Sequence, residues 1–132
     1  MTQKTLKTAV HGSVYICSPF RARERTADER ERELRRNQAV GRLACRVAVR
    51  HGFVPLAPHL YFPQFLSDDD RGEREVGMRY GVDWLTQCDE VWVIGDRITE
   101  GMEQEILIAE ELGIPVRRFQ VLDASMLCLI PA

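Results

Sequence analysis

Short apolar runs alternate along the chain with longer stretches whose apolar residues recur at helical spacing. Ser13-Val14-Tyr15-Ile16-Cys17 is β-branched and aromatic and is ended by Ser18-Pro19, which reads as a buried strand. Thr26 stands where a helix N-cap is needed, with Glu29 three residues on to complete a capping box. That helix runs to about His51, where Gly52 stops it, and Leu34, Val40, Leu43, Ala44 and Val47 form its apolar stripe. Val54 to Ala57 is a second strand. Pro55 lacks the N–H that an inner ladder needs, so this strand belongs at an edge. Pro58 to Leu66 reads as an aromatic loop, and Asp68-Asp69-Asp70 as a turn leading into a helix from Arg71 to Gln87. In that helix Val76, Tyr80, Trp84 and Leu85 recur at helical spacing. Glu90 to Gly95 is the strongest strand, a continuous apolar run of the kind found in central parallel strands. A helix from Gly101 to Leu112, with Met102, Ile106 and Ala109 on one side, ends at Gly113 as its C′ residue. Val116 to Leu122 is the last strand.

Strands alternating with helices predict an α/β, flavodoxin- or Rossmann-like fold: a parallel sheet of four or five strands with helices on both faces. Ligands of such sheets bind beyond the carboxyl ends of the strands. That rule gathers Ser18–Arg21, Pro58–Phe65 and Asp96–Gly101 around one cleft.

Composition narrows the class. The 132 residues, 45% hydrophobic and 29% charged, suit a single globular domain over 1–132, with residues 1–12 expected to be a flexible N-terminus. A net charge of −2 recruits neither nucleic acid nor anionic lipid, and no apolar run is long enough to span a membrane. The basic residues are lopsided, sixteen Arg to two Lys, with ten of the Arg between positions 21 and 50. They are interleaved with Asp28, Glu29, Glu31 and Glu33, the pattern of a solvated helix with i,i+4 pairs rather than a nucleic-acid face. Cys17, Cys45, Cys88 and Cys128 form no CxxC pair; free thiols and a cytoplasmic location are expected. No His/Cys/Asp spacing fits a metal, and no GxGxxG or Walker loop offers a dinucleotide or nucleoside triphosphate cradle, so no cofactor is expected.

The chemistry-bearing candidates cluster in the predicted cleft. Glu105 lies one turn into its helix, positioned to look back over the N-terminus, and Asp83 sits among apolar neighbours on the preceding helix. Two carboxyl groups in one partly apolar cleft suit glycosyl transfer, one as nucleophile and one as proton donor; either is also explained as an ordinary solvated or ion-paired acid. Ser18, Phe20 and Arg21 follow the first strand as phosphate-binding turns do, although Arg21 is equally a surface residue among many arginines. Thr99 is a good N-cap, and with the free N–H groups after it also forms an anion site, although capping alone explains it about as well. His59 is a loop histidine after the second strand. Tyr61, Phe62 and Phe65 are either core plugs or a lid on which a base stacks.

Tyr15-Ile16-Cys17-Ser18-Pro19-Phe20-Arg21, Gly81-Val82-Asp83-Trp84-Leu85, Cys88-Asp89-Glu90-Val91-Trp92-Val93, Gly101-Met102-Glu103-Gln104-Glu105-Ile106 and Gly113-Ile114-Pro115-Val116 resemble the nucleoside 2-deoxyribosyltransferase superfamily. The likeness runs from Val14 to Val116. Its style is that of small DUF4406 members, and it is also similar to the 2′-deoxynucleoside 5′-phosphate N-glycosidases. The resemblance implies Glu105 as nucleophile, Asp83 as the acid assisting the leaving base, and Tyr15 as the residue orienting Glu105. It implies Arg21 and Thr99 as 5′-phosphate ligands and His59 as a further cleft residue; Ser18, Phe20, Gly101 and Met102 complete the expected substrate contacts. The expected activity is an N-glycosidic hydrolase or (deoxy)ribosyltransferase on a nucleoside or its 5′-monophosphate, in a homodimer or larger homo-oligomer. A related superfamily with the same plan senses nucleotides without turning them over, which is the alternative. Catalysis by the pair requires separated pKa values, with Asp83 raised beside Trp84 and Glu105 kept ionised by the helix N-terminus and Tyr15.

Overall fold

Residues Val14, Tyr15, Ile16 and Cys17 are buried without a break, because the strand they form is covered on both faces. A computed structural model describes residues 11–20, 26–123 and the backbone of 126–129. Arg21, residues 1–10 of the expected flexible N-terminus, and positions 124–125 and 130–132 lie outside the described residues. The elements are β1 (Gly12–Cys17), α1 (Ala27–Arg50), β2 (Phe53–Leu56), α2 (Pro58–Tyr61), a 3-10 turn (Phe62–Gln64), α3 (Arg71–Leu85), β3 (Glu90–Ile94), α4 (Glu100–Glu111), β4 (Val116–Asp123) and β5 (Met126–Leu129).

The sheet order is β2-β1-β3-β4-β5. Strands β1 to β4 are parallel, and β2 lies at the edge where Pro55 requires it. The expectation of a parallel sheet is met by these four strands and corrected at the fifth. β5 folds back antiparallel on β4, with Phe119 opposite Leu129. A short hairpin allows only that direction, since a parallel return needs a crossover of a dozen residues or more.

Side-chain alternation divides the core in two. Tyr15, Cys17, Val91 and Val93 face Leu85 of α3 and Met102 and Ala109 of α4. Val14, Ile16, Trp92 and Ile94 face Ala44 and Ala48 of α1. Helices therefore cover both faces.

The caps follow the sequence closely. Thr26 accepts the Glu29 N–H at 3.2 Å and Asp70 that of Glu73 at 3.0 Å. Gly52 (φ 86°) and Gly113 (φ 72°) take left-handed conformations just beyond α1 and α4. Two local expectations are corrected. The aromatic loop after β2 is helical, because Pro58 and Pro63 occupy first-turn positions that do not need an N–H. The buried stripe of α1 begins with Glu33, Asn37 and Gly41, ahead of Ala44 and Ala48, while Leu34 is only half-buried. Asn37 Nδ2 donates to the Phe20 carbonyl at 3.1 Å, and Glu33 is paired with Arg97 at 3.4 Å. This upper half of α1 braces the loops after β1 and β3.

Candidate active site

Beyond the carboxyl ends of β1 and β2, and beside the start of α4, lies a cavity of about 410 Å³. That is ample for a small-molecule ligand. The loops expected to share a cleft do meet there: Ser18 and Phe20 after β1, Pro58 and His59 after β2, Thr99 and Gly101 after β3. One wall was not foreseen. Gly77 and Gly81 of α3, one helical turn apart, face the cavity, with Arg74 and Met78 beside them. The i,i+4 glycine pair was the available signal, since small residues on one helix face let other groups approach closely.

At one end of the cavity stands Glu105. Tyr15, in the middle of the sheet, donates its phenol proton to Glu105 Oε2 across 2.5 Å. Burial is the main influence on Glu105 and raises its pKa; the bonds from Tyr15 and Cys17 pull the other way. The Tyr15 bond acts in the expected direction, toward the ionised form, and desolvation acts against it. Burial together with the adjacent Glu105 carboxylate also raises Tyr15 well above an ordinary phenol. Tyr15 therefore remains a donor.

His59 and Ser18 also line the cavity, and His59 Nε2 and Ser18 Oγ share a hydrogen bond of 2.7 Å. Burial lowers His59 to a pKa of about 4, so its ring is neutral near pH 7. Gly41 makes room for it; a Cβ there would come within 2.9 Å of Nε2.

The remaining expected residues divide. Thr99 lines the cavity, and its hydroxyl accepts the Met102 N–H at 3.1 Å, so it caps α4. Met102 is corrected from a ligand contact to a core residue. It is 2% exposed, and its sulfur folds back to accept the Thr99 N–H at 3.5 Å. Asp83 is exposed and does not line the cavity. It follows Gly81 by two residues, about 200° around the helix, so the face that presents Gly81 to the cavity turns Asp83 outward. The structure thus does not bring Asp83 to Glu105. Phe62 lines the cavity and packs on Trp84 with centroids 5.0 Å apart. Tyr61 and Phe65, 49% and 59% exposed, are not core plugs.

Three further acidic residues, Asp68, Glu73 and Glu100, also line the cavity. Asp68 lies 3.9 Å from Arg74, and Glu73 accepts the Ser67 N–H at 2.6 Å. Among the described residues no group of three or more His, Cys, Asp or Glu is placed to hold a metal ion, and no helix is long and apolar enough to cross a membrane.

Residues 12–119 match the family described as a domain of unknown function, DUF7768, and the chain belongs to that family. The narrower likeness to DUF4406 rests on the motifs alone. No curated protein matches the chain in sequence. Among solved structures, a 2-deoxyribosyltransferase from the psychrotolerant bacterium Bacillus psychrosaccharolyticus matches with a TM-score of 0.52 and 18% identity, over 82% of this chain and 72% of that one. That enzyme is described as a biocatalyst for the synthesis of antiviral and antitumoral nucleosides. The relationship is one of fold.

Proposed function

We infer that the protein cleaves or transfers the N-glycosidic bond of a nucleoside or nucleoside 5′-monophosphate, with Glu105 as the nucleophile. The observation that carries this reading is the Tyr15–Glu105 hydrogen bond inside the cavity. A half-buried carboxylate that lines a ligand-sized space and is held by the Tyr15 phenol is costly for folding. It is suited to attack a sugar carbon as the glycosidic bond opens. The phenol fixes which oxygen is bonded and leaves the other for C1′. Support also comes from the fold shared with the deoxyribosyltransferase. Arg74 at the cavity wall is a candidate partner for a 5′-phosphate; Arg21, outside the described residues, is a candidate from the sequence resemblance.

The outward position of Asp83 favours a second reading, a nucleotide-binding module without turnover, because the expected proton donor is not in the cavity. Incubation with a panel of nucleosides and 5′-monophosphates, followed by chromatography for free base, separates the two. Base release that disappears in Glu105→Ala supports the enzyme. Saturable binding without release supports the module.

A further inference from the structure

We propose that Gly81 determines specificity, restricting the cavity to N-glycosides whose base leaves without receiving a proton, such as N-ribosyl or N-deoxyribosyl pyridinium compounds. This rests on Glu105 acting as the nucleophile.

Gly81 is buried on α3, and a Cβ added to it would lie 3.5 Å from Tyr15 Oη and 3.4 Å from Pro58 Cγ, both ordinary contacts. Position 81 is therefore the place on α3 from which a side chain would reach the Tyr15–Glu105 pair, and it carries none. Asp83, the nearest carboxyl group in sequence, is on the other side of the helix.

Other polar groups of the cavity are engaged elsewhere. Tyr15 gives its proton to Glu105, and Ser18 and His59 bond to each other. Asp68 faces Arg74, and Glu73 already accepts from Ser67. Glu100 is exposed on the first turn of α4, five residues and about 140° around the helix from Glu105. Among the described residues, none is held where it can protonate a base departing from a sugar attacked by Glu105.

A neutral nucleoside then loses its base as an anion, at the cost of the ~10²–10⁴-fold that a general acid supplies. A pyridinium glycoside has no such need. As a Glu105 oxygen bonds to C1′, the C1′–N bond breaks, and its electron pair returns to the ring nitrogen and cancels the positive charge. The pyridine departs neutral. Water then bonds to C1′ through oxygen, the ester C–O bond breaks to restore the carboxylate, and the water's proton passes to solvent. Charge complementarity points the same way. Asp68, Glu73 and Glu100 line the cavity with Glu105 against Arg74, and the aromatic residues Phe20 and Phe62 line it too, a type of side chain that attracts a cationic base.

The test compares N-ribosylnicotinamide and its 2′-deoxy analogue with inosine and 2′-deoxyinosine, each rate divided by its uncatalysed rate. Wild-type protein is expected to accelerate the pyridinium glycosides at least about 100-fold more than the inosines. Gly81→Asp, checked for folding by circular dichroism, is expected to raise the ratio of inosine to pyridinium cleavage about 100-fold. Gly81→Ala is expected to leave that ratio unchanged. Equal acceleration of both classes by the wild type, or a folded Gly81→Asp with no gain in that ratio, overturns the role of Gly81 and leaves the N-glycosidic reading standing. If Gly81→Asp does not fold, the wild-type comparison decides. Failure to release base from either class overturns both.

Discussion

Tyr15 Oη and Glu105 Oε2 meet across 2.5 Å although ninety positions separate the two residues. The parallel pairing of β1 with β3 brings the start of α4 beside β1. Tyr15 and Cys17 then share a face of β1 with Met102 and Ala109 of α4. Glu105 is consequently tied through Tyr15 to a buried strand inside the sheet.

Replacing Glu105 tests its chemical role against a structural one. Glu105→Gln keeps the shape and removes the charge, so base release is expected to fall on the order of 10⁴-fold or more, as loss of a covalent nucleophile does. Burial disfavours the ionised carboxylate, so the variant's thermal midpoint at pH 7–8 should equal or exceed that of the wild type. Retained turnover in a folded Glu105→Gln would end the assignment.

Tyr15→Phe removes one hydroxyl from a side chain otherwise held by packing. The Tyr15 bond is one of the two influences lowering the Glu105 pKa, so its loss raises that pKa further. The acid limb of kcat/KM against pH should move to higher pH, and kcat/KM below the plateau should drop roughly 10- to 100-fold, the worth of a hydrogen bond to a charged group. An unmoved acid limb would show that the phenol does not tune the carboxylate.

Asp83→Asn is expected to leave turnover within about twofold. Its carboxyl is exposed and outside the cavity, and surface substitutions away from special features change stability by roughly 0.5 kcal/mol or less. Steady-state kinetics on whichever substrate the wild type accepts provides the check.

Legibility in the sequence followed what local patterns encode. Strand runs, helix caps and the glycines after α1 and α4 act through neighbours only, and their elements formed close to where they were expected. The positions of Glu105 and Tyr15 were legible because a strand and the start of a helix fix where their side chains point. Asp83 was misplaced for the complementary reason. Val82, Trp84 and Leu85 made its setting read as apolar, but a helix buries one face, and on α3 that face runs through Gly77, Gly81 and Leu85. Glycines carry no hydrophobic signal, so the cavity wall they form was invisible to periodicity. Glu33 and Asn37 were hidden likewise: they are buried because a loop carbonyl and Arg97, distant in sequence, satisfy them. The antiparallel turn of β5 depends on hairpin length, which an apolar tail does not disclose.

Gly101 offers a substitution whose two effects have opposite sign. It occupies the second position of α4 with ordinary φ, and nothing lies within 4 Å of where its Cβ would be. Gly101→Ala should stabilise the fold by about 0.5–1 kcal/mol through the lost freedom of the unfolded chain. The added methyl projects into the space a ligand uses, so KM should rise while kcat is kept. Denaturant melts and a KM measurement read the two effects separately, and an unchanged KM would remove Gly101 from the binding surface.

The half-buried His59 gives the protein an acid-sensitive stability with a defined window. Unfolded, its ring takes a proton near pH 6.5; folded, burial delays that to about pH 4. Between these values the unfolded state binds more protons, so stability falls as pH drops, and the contribution fully present above pH 6.5 is gone below about 4. A separation of this size corresponds to about 3 kcal/mol, a large share of a domain's usual 5–15 kcal/mol. Glu105 acts in the opposite sense, its raised pKa favouring the folded state toward acid, so the two must be separated by mutation. His59→Gln retains a polar partner for Ser18 but does not titrate. Urea unfolding from pH 4.5 to 7 should therefore show a shallower acid decline in His59→Gln than in the wild type, with the curves converging as pH falls. Parallel curves would mean that His59 protonates as readily in the folded protein as in the unfolded chain.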